Sequence, residues 1–268
     1  MRFLWLFIVQ LSLCSMSMCH AGGCMPSFRV LIIHEKGSAK GLHEKDAKNI
    51  KKTFTSIAGA IGWPILLTEM DCSGATVRKI RKWCSTIKGL DTAVLYYSGP
   101  NSENSMYKGS WPLATIGGHS VPVNQIANEV HSKGARLSLV FGDCYNTCFD
   151  ARATIRRYFG SPLKKVKEKW LVRRLRDVWL SENGSLTMSS NKQGDKSYGM
   201  ILNKKKGCVF GVFTEALLMH IGARGNGRPP LARLSELPNA IHDHIVLDSC
   251  FTPTRQCSVH QSSITGVK

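Results

Sequence analysis

Three short apolar runs do most to limit the fold: Phe28–Ile33 (FRVLII), Ala93–Tyr97 within DTAVLYYSG, and Leu137–Phe141 within LSLVFGD. Each is continuous rather than alternating, as a strand is when both of its faces are covered. Segments of helical period stand between them. In GLHEKDAKNIKKTFTSIAGAIGW the residues Leu42, Ala47, Ile50, Phe54, Ile57 and Ile61 recur along one helical face, and the pattern stops near Gly62 and Pro64, so it predicts an amphipathic helix. Ile65–Leu67 reads as a short second strand, and Ser73 to Thr76 as a turn and helix cap for TVRKIRKWCSTIKGL. VNQIANEVHSKG predicts another helix before LSLVFGD. SLTMSS, from Ser185, reads as a fifth strand, and Cys208–Val212 as a further one running into a helical FTEALLMHI. Strands alternating with helices in this way predict an α/β domain with a mainly parallel sheet. Reactive groups in such sheets gather at the carboxyl ends of the strands, where Ser98-Gly99 and Gly142-Asp143-Cys144 stand.

The first residues, MRFLWLFIVQLSLCSMSMCHAGG, carry one Arg, an apolar block from Phe3 to Leu13 and small residues toward Ala21. This layout predicts a signal peptide over residues 1–21, and hence a secreted or periplasmic protein; an uncleaved leader would make it membrane-anchored. No later stretch approaches the ~20 consecutive apolar residues of a span, so no transmembrane segment is expected after signal removal. Cleavage after Ala21 leaves Cys24, Cys72, Cys84, Cys144, Cys148, Cys208, Cys250 and Cys257. An oxidising compartment permits disulfides, Cys250 with Cys257 closing the easiest loop, and no cysteine set has zinc-site spacing. For Cys144 two readings stand: a nucleophile at a strand end, or half of a pair with Cys148.

Lys and Arg number 36 against 18 acidic residues, a net charge of +18, which favours anionic partners. The excess is densest in SPLKKVKEKWLVRRLRDVWL, where Lys164, Lys165, Lys167, Lys169, Arg173, Arg174 and Arg176 interleave with Leu163, Val166, Trp170, Leu171, Leu175, Val178 and Trp179. It reads either as a basic amphipathic helix for an anionic surface or acidic protein, or as a helix packed on the domain with a solvated charged face. Nucleic acid is not the expected partner, because no aromatic-basic motif, zinc finger or helix-turn-helix signature accompanies the charge. GSAKG lacks the spacing of a phosphate loop. His34, His43, His242 and His244 read as surface histidines, no metal or cofactor is expected, and the tail after Cys250 reads as loose.

Taken in order, these pieces resemble the caspase and metacaspase family of cysteine peptidases. FRVLII with the KDAKNI helix resembles the family's first strand and helix. DTAVLYYSG resembles the strand ending in Tyr-Ser-Gly-His-Gly, LVFGDCYN the strand that delivers the catalytic cysteine, and GVFTEALL the late Gly-x-Phe-Thr-x-x-Leu helix. The resemblance implies a caspase-like α/β/α sandwich over residues 28–222 with a mainly parallel six-stranded central sheet, after a linker at 22–27. A basic insert at about 160–182 stands where caspases carry their maturation linker, and 223–268 form a C-terminal extension. It makes Cys144 the nucleophile position, and Asp46 and Asp143 the acids of an Arg- or Lys-preferring pocket, although Gly142 stands where metacaspases often place a further aspartate. Calcium activation, known for metacaspases, has no acidic cluster here to point to.

One departure governs the functional expectation. The family's catalytic histidine follows Ser-Gly, and here Tyr97-Ser98-Gly99 is followed by Pro100, at about the separation from Cys144 expected for a caspase-type pair. Proline has neither a titratable group nor a side-chain donor, while an unperturbed cysteine near pKa ~8.5 is only slightly ionised at neutral pH. The leading expectation is a caspase-like protein that has lost or nearly lost turnover and binds a peptide or protein. The alternatives are an active peptidase using His119, from IGGHSVP, as relocated base, and an exported basic binding protein with structural cysteines.

Overall fold

A computed structural model describes residues 25–37, 41–102, 106–144, 147–150, 169–191, 198–203, 207–221, 233–241 and 260–265. The expected leader, Lys164 to Lys167, Cys24, Cys250, Cys257, His242 and His244 lie outside the described residues. The elements run β1 (Phe28–His34), α1 (Leu42–Ile61), β2 (Ile65–Asp71), α2 (Val77–Cys84), β3 (Thr92–Gly99), β4 (Leu113–Ile116), β5 (His119–Pro122), α3 (Val123–His131), β6 (Leu137–Cys144), β7 (Thr147–Asp150), α4 (Lys169–Ser181), β8 (Gly184–Ser189), β9 (Tyr198–Asn203), β10 (Gly207–Gly211), α5 (Val212–Ile221) and β11 (His260–Thr265).

The protein is α/β, with a mainly parallel central sheet flanked by helices. Five strands lie parallel in the order β8-β6-β3-β1-β2. β11, in the tail that reads as loose from its composition, runs antiparallel along β8. β7, β9 and β10 form a separate three-stranded sheet.

Period-two alternation sorts the central strands into two cores. Phe28, Val30, Ile32, Tyr96, Leu139 and Phe141 face α1, α4 and α5, where Ile50, Phe54, Ile57, Trp179 and Leu217 meet them. Leu31, Ile33, Leu95, Tyr97 and Val140 face α2 and α3, against Ile80, Trp83, Ile126 and Val130. Burial on both faces is why the strand sequences are unbroken apolar runs; each such side chain removed from water contributes about 1.5–3 kcal/mol.

Local chemistry sets the helix ends. α1 stops at Gly62, whose φ of 85° is left-handed and whose N–H reaches Ala58 O at 2.9 Å. α2 begins at Thr76, whose hydroxyl accepts from Lys79 N at 3.2 Å. It ends at Cys84, short of the Leu90 to which the sequence pattern runs, because the next backbone bonds tighten to three residues, from Thr86 N to Trp83 O and Ile87 N to Cys84 O, and the Thr86 hydroxyl also donates to Trp83 O. Residues 113–122 form a hairpin: β4 and β5 pair across Gly117-Gly118, with φ values of 57° and 77°, the backbone that a tight hairpin turn demands.

The described part of the basic segment is a docked helix. Leu175, Val178 and Trp179 of α4 are buried, and Trp179 stands edge-on to Phe28 and Phe54 at centroid distances of 5.6 and 5.9 Å. Arg173 and Arg176 are exposed on its other side.

Candidate functional site

The central pair β3 and β6 positions the candidate site. Their register sets Ser98 beside Asp143 and Gly99 beside Cys144, so Pro100 follows directly on the residue that flanks the cysteine. Alternation then divides the strand ends: Tyr96, Ser98 and Asp143 face α1, whereas Tyr97 and Cys144 face the opposite core.

On the α1 side, two carboxyls are buried together. Asp46 comes from the first turns of α1 and Asp143 from the end of β6, and neither has exposed surface. Gly211 N donates to both Asp46 oxygens, at 3.2 and 3.0 Å. Thr214 donates to Asp143 Oδ2, which leaves the Tyr96 hydroxyl to donate to Thr214. Burial pushes Asp46 well above the usual carboxylate range, and the charge of Asp143 adds to this. Burial raises Asp143 to about 7, against the pull of hydrogen bonds from Thr214 and Ser190. A Cβ at Gly211 would collide with Asp143 Oδ2, so only glycine admits this approach. The structure therefore brings the two sequence-predicted acids together, as a closed pair capped by a backbone N–H.

Beside them lies a histidine whose burial the sequence did not suggest. His43, expected at the surface, has Nδ1 3.0 Å from Ser98 Oγ and Nε2 3.3 Å from Glu35 Oε2. Burial, with His34 nearby, lowers it to about 4, so the ring is neutral at physiological pH. A carboxylate only accepts, which assigns the ring proton to Nε2 and leaves Nδ1 to accept from Ser98. Hydroxyl, imidazole and carboxylate stand in the order of a charge-stabilised nucleophile, but Ser98 has no exposed surface for a carbonyl to approach.

On the opposite side Cys144 is equally enclosed. Its side chain lies in the core with Cys72, Tyr97 and Val123, its exposure is 0%, and its N–H donates to Ser190 Oγ at 3.1 Å. Cys144, Cys72 and Cys84 are all free thiols, so the strand-end cysteine is not half of a disulfide. Burial pushes the Cys144 thiol well above its ordinary value, and the neighbouring Asp143 and Cys72 push the same way. Burial takes Cys72 to about 12. The Tyr97 hydroxyl donates to Pro100 O at 2.9 Å and accepts from Thr115 N at 3.0 Å, tying the proline turn to β4. A Cβ on Gly99 would come within 2.7 Å of that hydroxyl and 3.0 Å of Cys72 Sγ.

His119 opens β5 opposite Ile116 and is exposed. Its hairpin buries Ala114, Ile116 and Val121 in the core that holds Cys144, so the two predicted catalytic residues share a side of the sheet, one in solvent and the other without accessible surface. Among the described residues no group of three or more His, Cys, Asp or Glu is placed to hold a metal ion, and no helix is long and apolar enough to cross a membrane. Against known proteins, the chain matches no family model and no curated protein.

Proposed function

We propose that this chain is a caspase-like protein without peptidase turnover, retained to bind a peptide or protein. The observation that carries the reading is the state of Cys144: fully buried, held as thiol, with an acid and a second thiol as the groups that bear most on its ionisation. Acyl transfer needs thiolate and a proton donor for the leaving amine, and Pro100 supplies neither. Support for the caspase-like frame comes from the parallel strand ends that set Cys144 beside Gly99 of β3 and from Asp46 on α1 lying close to Asp143 on β6. In this reading β11 completes a six-stranded caspase-type sheet, and the acidic pair is what remains of a pocket for Arg or Lys.

The experiment is hydrolysis of a mixed Arg, Lys and Asp peptide library under reducing conditions, beside the Cys144→Ala variant. Equal rates for the two proteins are expected. Cleavage that disappears with Cys144 overturns the proposal and makes the chain a peptidase; loss of that cleavage in His119→Ala would then assign the base to β5.

A further inference from the structure

β2 is an outer strand of the central sheet and, among the described residues, has β1 as its one partner strand. Phe28 N donates to Pro64 O at 2.9 Å, and Cys72 N donates to His34 O at 3.0 Å. A parallel ladder alternates, so residues 64, 66, 68, 70 and 72 turn their backbone groups toward β1, and Ile65, Leu67 and Glu69 turn theirs outward. Among the described residues these outward groups have no hydrogen-bond partner. An edge with free N–H and C=O groups is a template for another strand.

The same strand floors a groove. Leu66, Thr68 and Met70 on β2, with Arg29 on β1, face Lys79, Lys82, Trp83 and Thr86 of the α2 segment around a space of about 360 Å³. Leu66 is 48% exposed at its mouth. The lining holds three cations and no carboxylate. Arg29 is held by Asp91 at 2.5 Å and Lys79 reaches Gly74 O at 2.6 Å, while Lys82 stands exposed on the wall.

We infer that the free edge of β2 and the basic groove between β2 and α2 form a docking site for an extended acidic peptide, which adds as a strand beside β2 with its carboxylates directed to Lys79 and Lys82. Main-chain pairing supplies a sequence-tolerant part of the affinity and the side-chain groove the selectivity. An acidic occupant is favoured over a second copy of this chain, because two chains each at +18 repel. Cys144 takes no part in this site.

The test uses the full chain and a fluorescent, end-blocked peptide of alternating Glu and Val, with its Lys-for-Glu counterpart and two versions N-methylated on either alternate set of amides. The acidic peptide is expected to bind and the Lys peptide not to. One N-methylated version should lose binding and the other keep it, since only one set of amides faces β2. The double variant K79E/K82E, changed at exposed positions so that its melting temperature reports folding independently, should weaken binding about tenfold, as two exposed ion pairs warrant. Cys144→Ala should bind unchanged, which separates this site from the fate of the peptidase reading. Equal binding by both N-methylated peptides, or by K79E/K82E, would overturn the inference. So would sedimentation showing the free protein paired through β2 and closed to the peptide.

Discussion

Gly211 and the two acids beneath it illustrate how single positions hold the strand-end cluster. Gly211→Ala puts a methyl group against Asp143 Oδ2; overpacking of this kind costs about 1–3 kcal/mol, and a lowered melting temperature should report it. The acids also set a pH signature. Both folded-state carboxyls titrate above the ordinary 3.8, with Asp143 at about 7, so between those values the folded protein holds more protons than the unfolded one. The contribution of Asp143 to stability is whole below pH about 4 and is lost as pH rises through about 7, and Asp46 acts in the same direction. His43 and His131, each lowered from 6.5 to about 4 by burial, act oppositely: their contribution is present above 6.5 and lost as pH falls toward 4. The two slopes offset each other between pH 4 and 6.5. Asp143→Asn should therefore gain stability relative to the native chain as pH rises from 4 to 7, seen as a growing difference in melting temperature. A difference that stays constant with pH would remove the buried, proton-holding pair.

The elements show where amphipathic reading succeeds and where it stops. α4 docks through one apolar stripe, so Trp179→Ala, which empties the space between Phe28 and Phe54, should cost about 3–5 kcal/mol. Truncating exposed Arg176 should change stability by under about 0.5 kcal/mol; chemical denaturation of both variants checks the contrast. The central strands were legible because double-sided burial leaves unbroken runs of Val, Ile, Leu and Tyr, and α1 because Ala47, Ile50, Phe54 and Ile57 mark its buried face. His43 lies on that same stripe one turn earlier and is buried with Asp46 and Ala47; its position in the period was the available signal, masked by its polarity. β4 and β5 are too short, at four residues each, for alternation to register, although Gly117-Gly118 between ATI and HSV marked the turn. Gly211 meets Asp46 across 165 residues and Thr214 meets Asp143 across 71, and no local pattern encodes either link.

At the scale of the whole molecule, the proposed reading sets a caspase-like frame around a cysteine that is fully buried and held as thiol. Cys144 sits where β6 ends and is fully buried: the proline turn is tied to β4 through Tyr97, and the thiol lies in the core with Cys72, Tyr97 and Val123. The most direct measurement is alkylation of Cys144 by iodoacetamide in the native, reduced protein near neutral pH, followed site by site by peptide mapping and repeated after unfolding. The account predicts that Cys144 stays unmodified in the native state and labels readily once unfolded. Rapid native labelling of Cys144, slowed by His119→Ala, would contradict it and return the chain to the active peptidases.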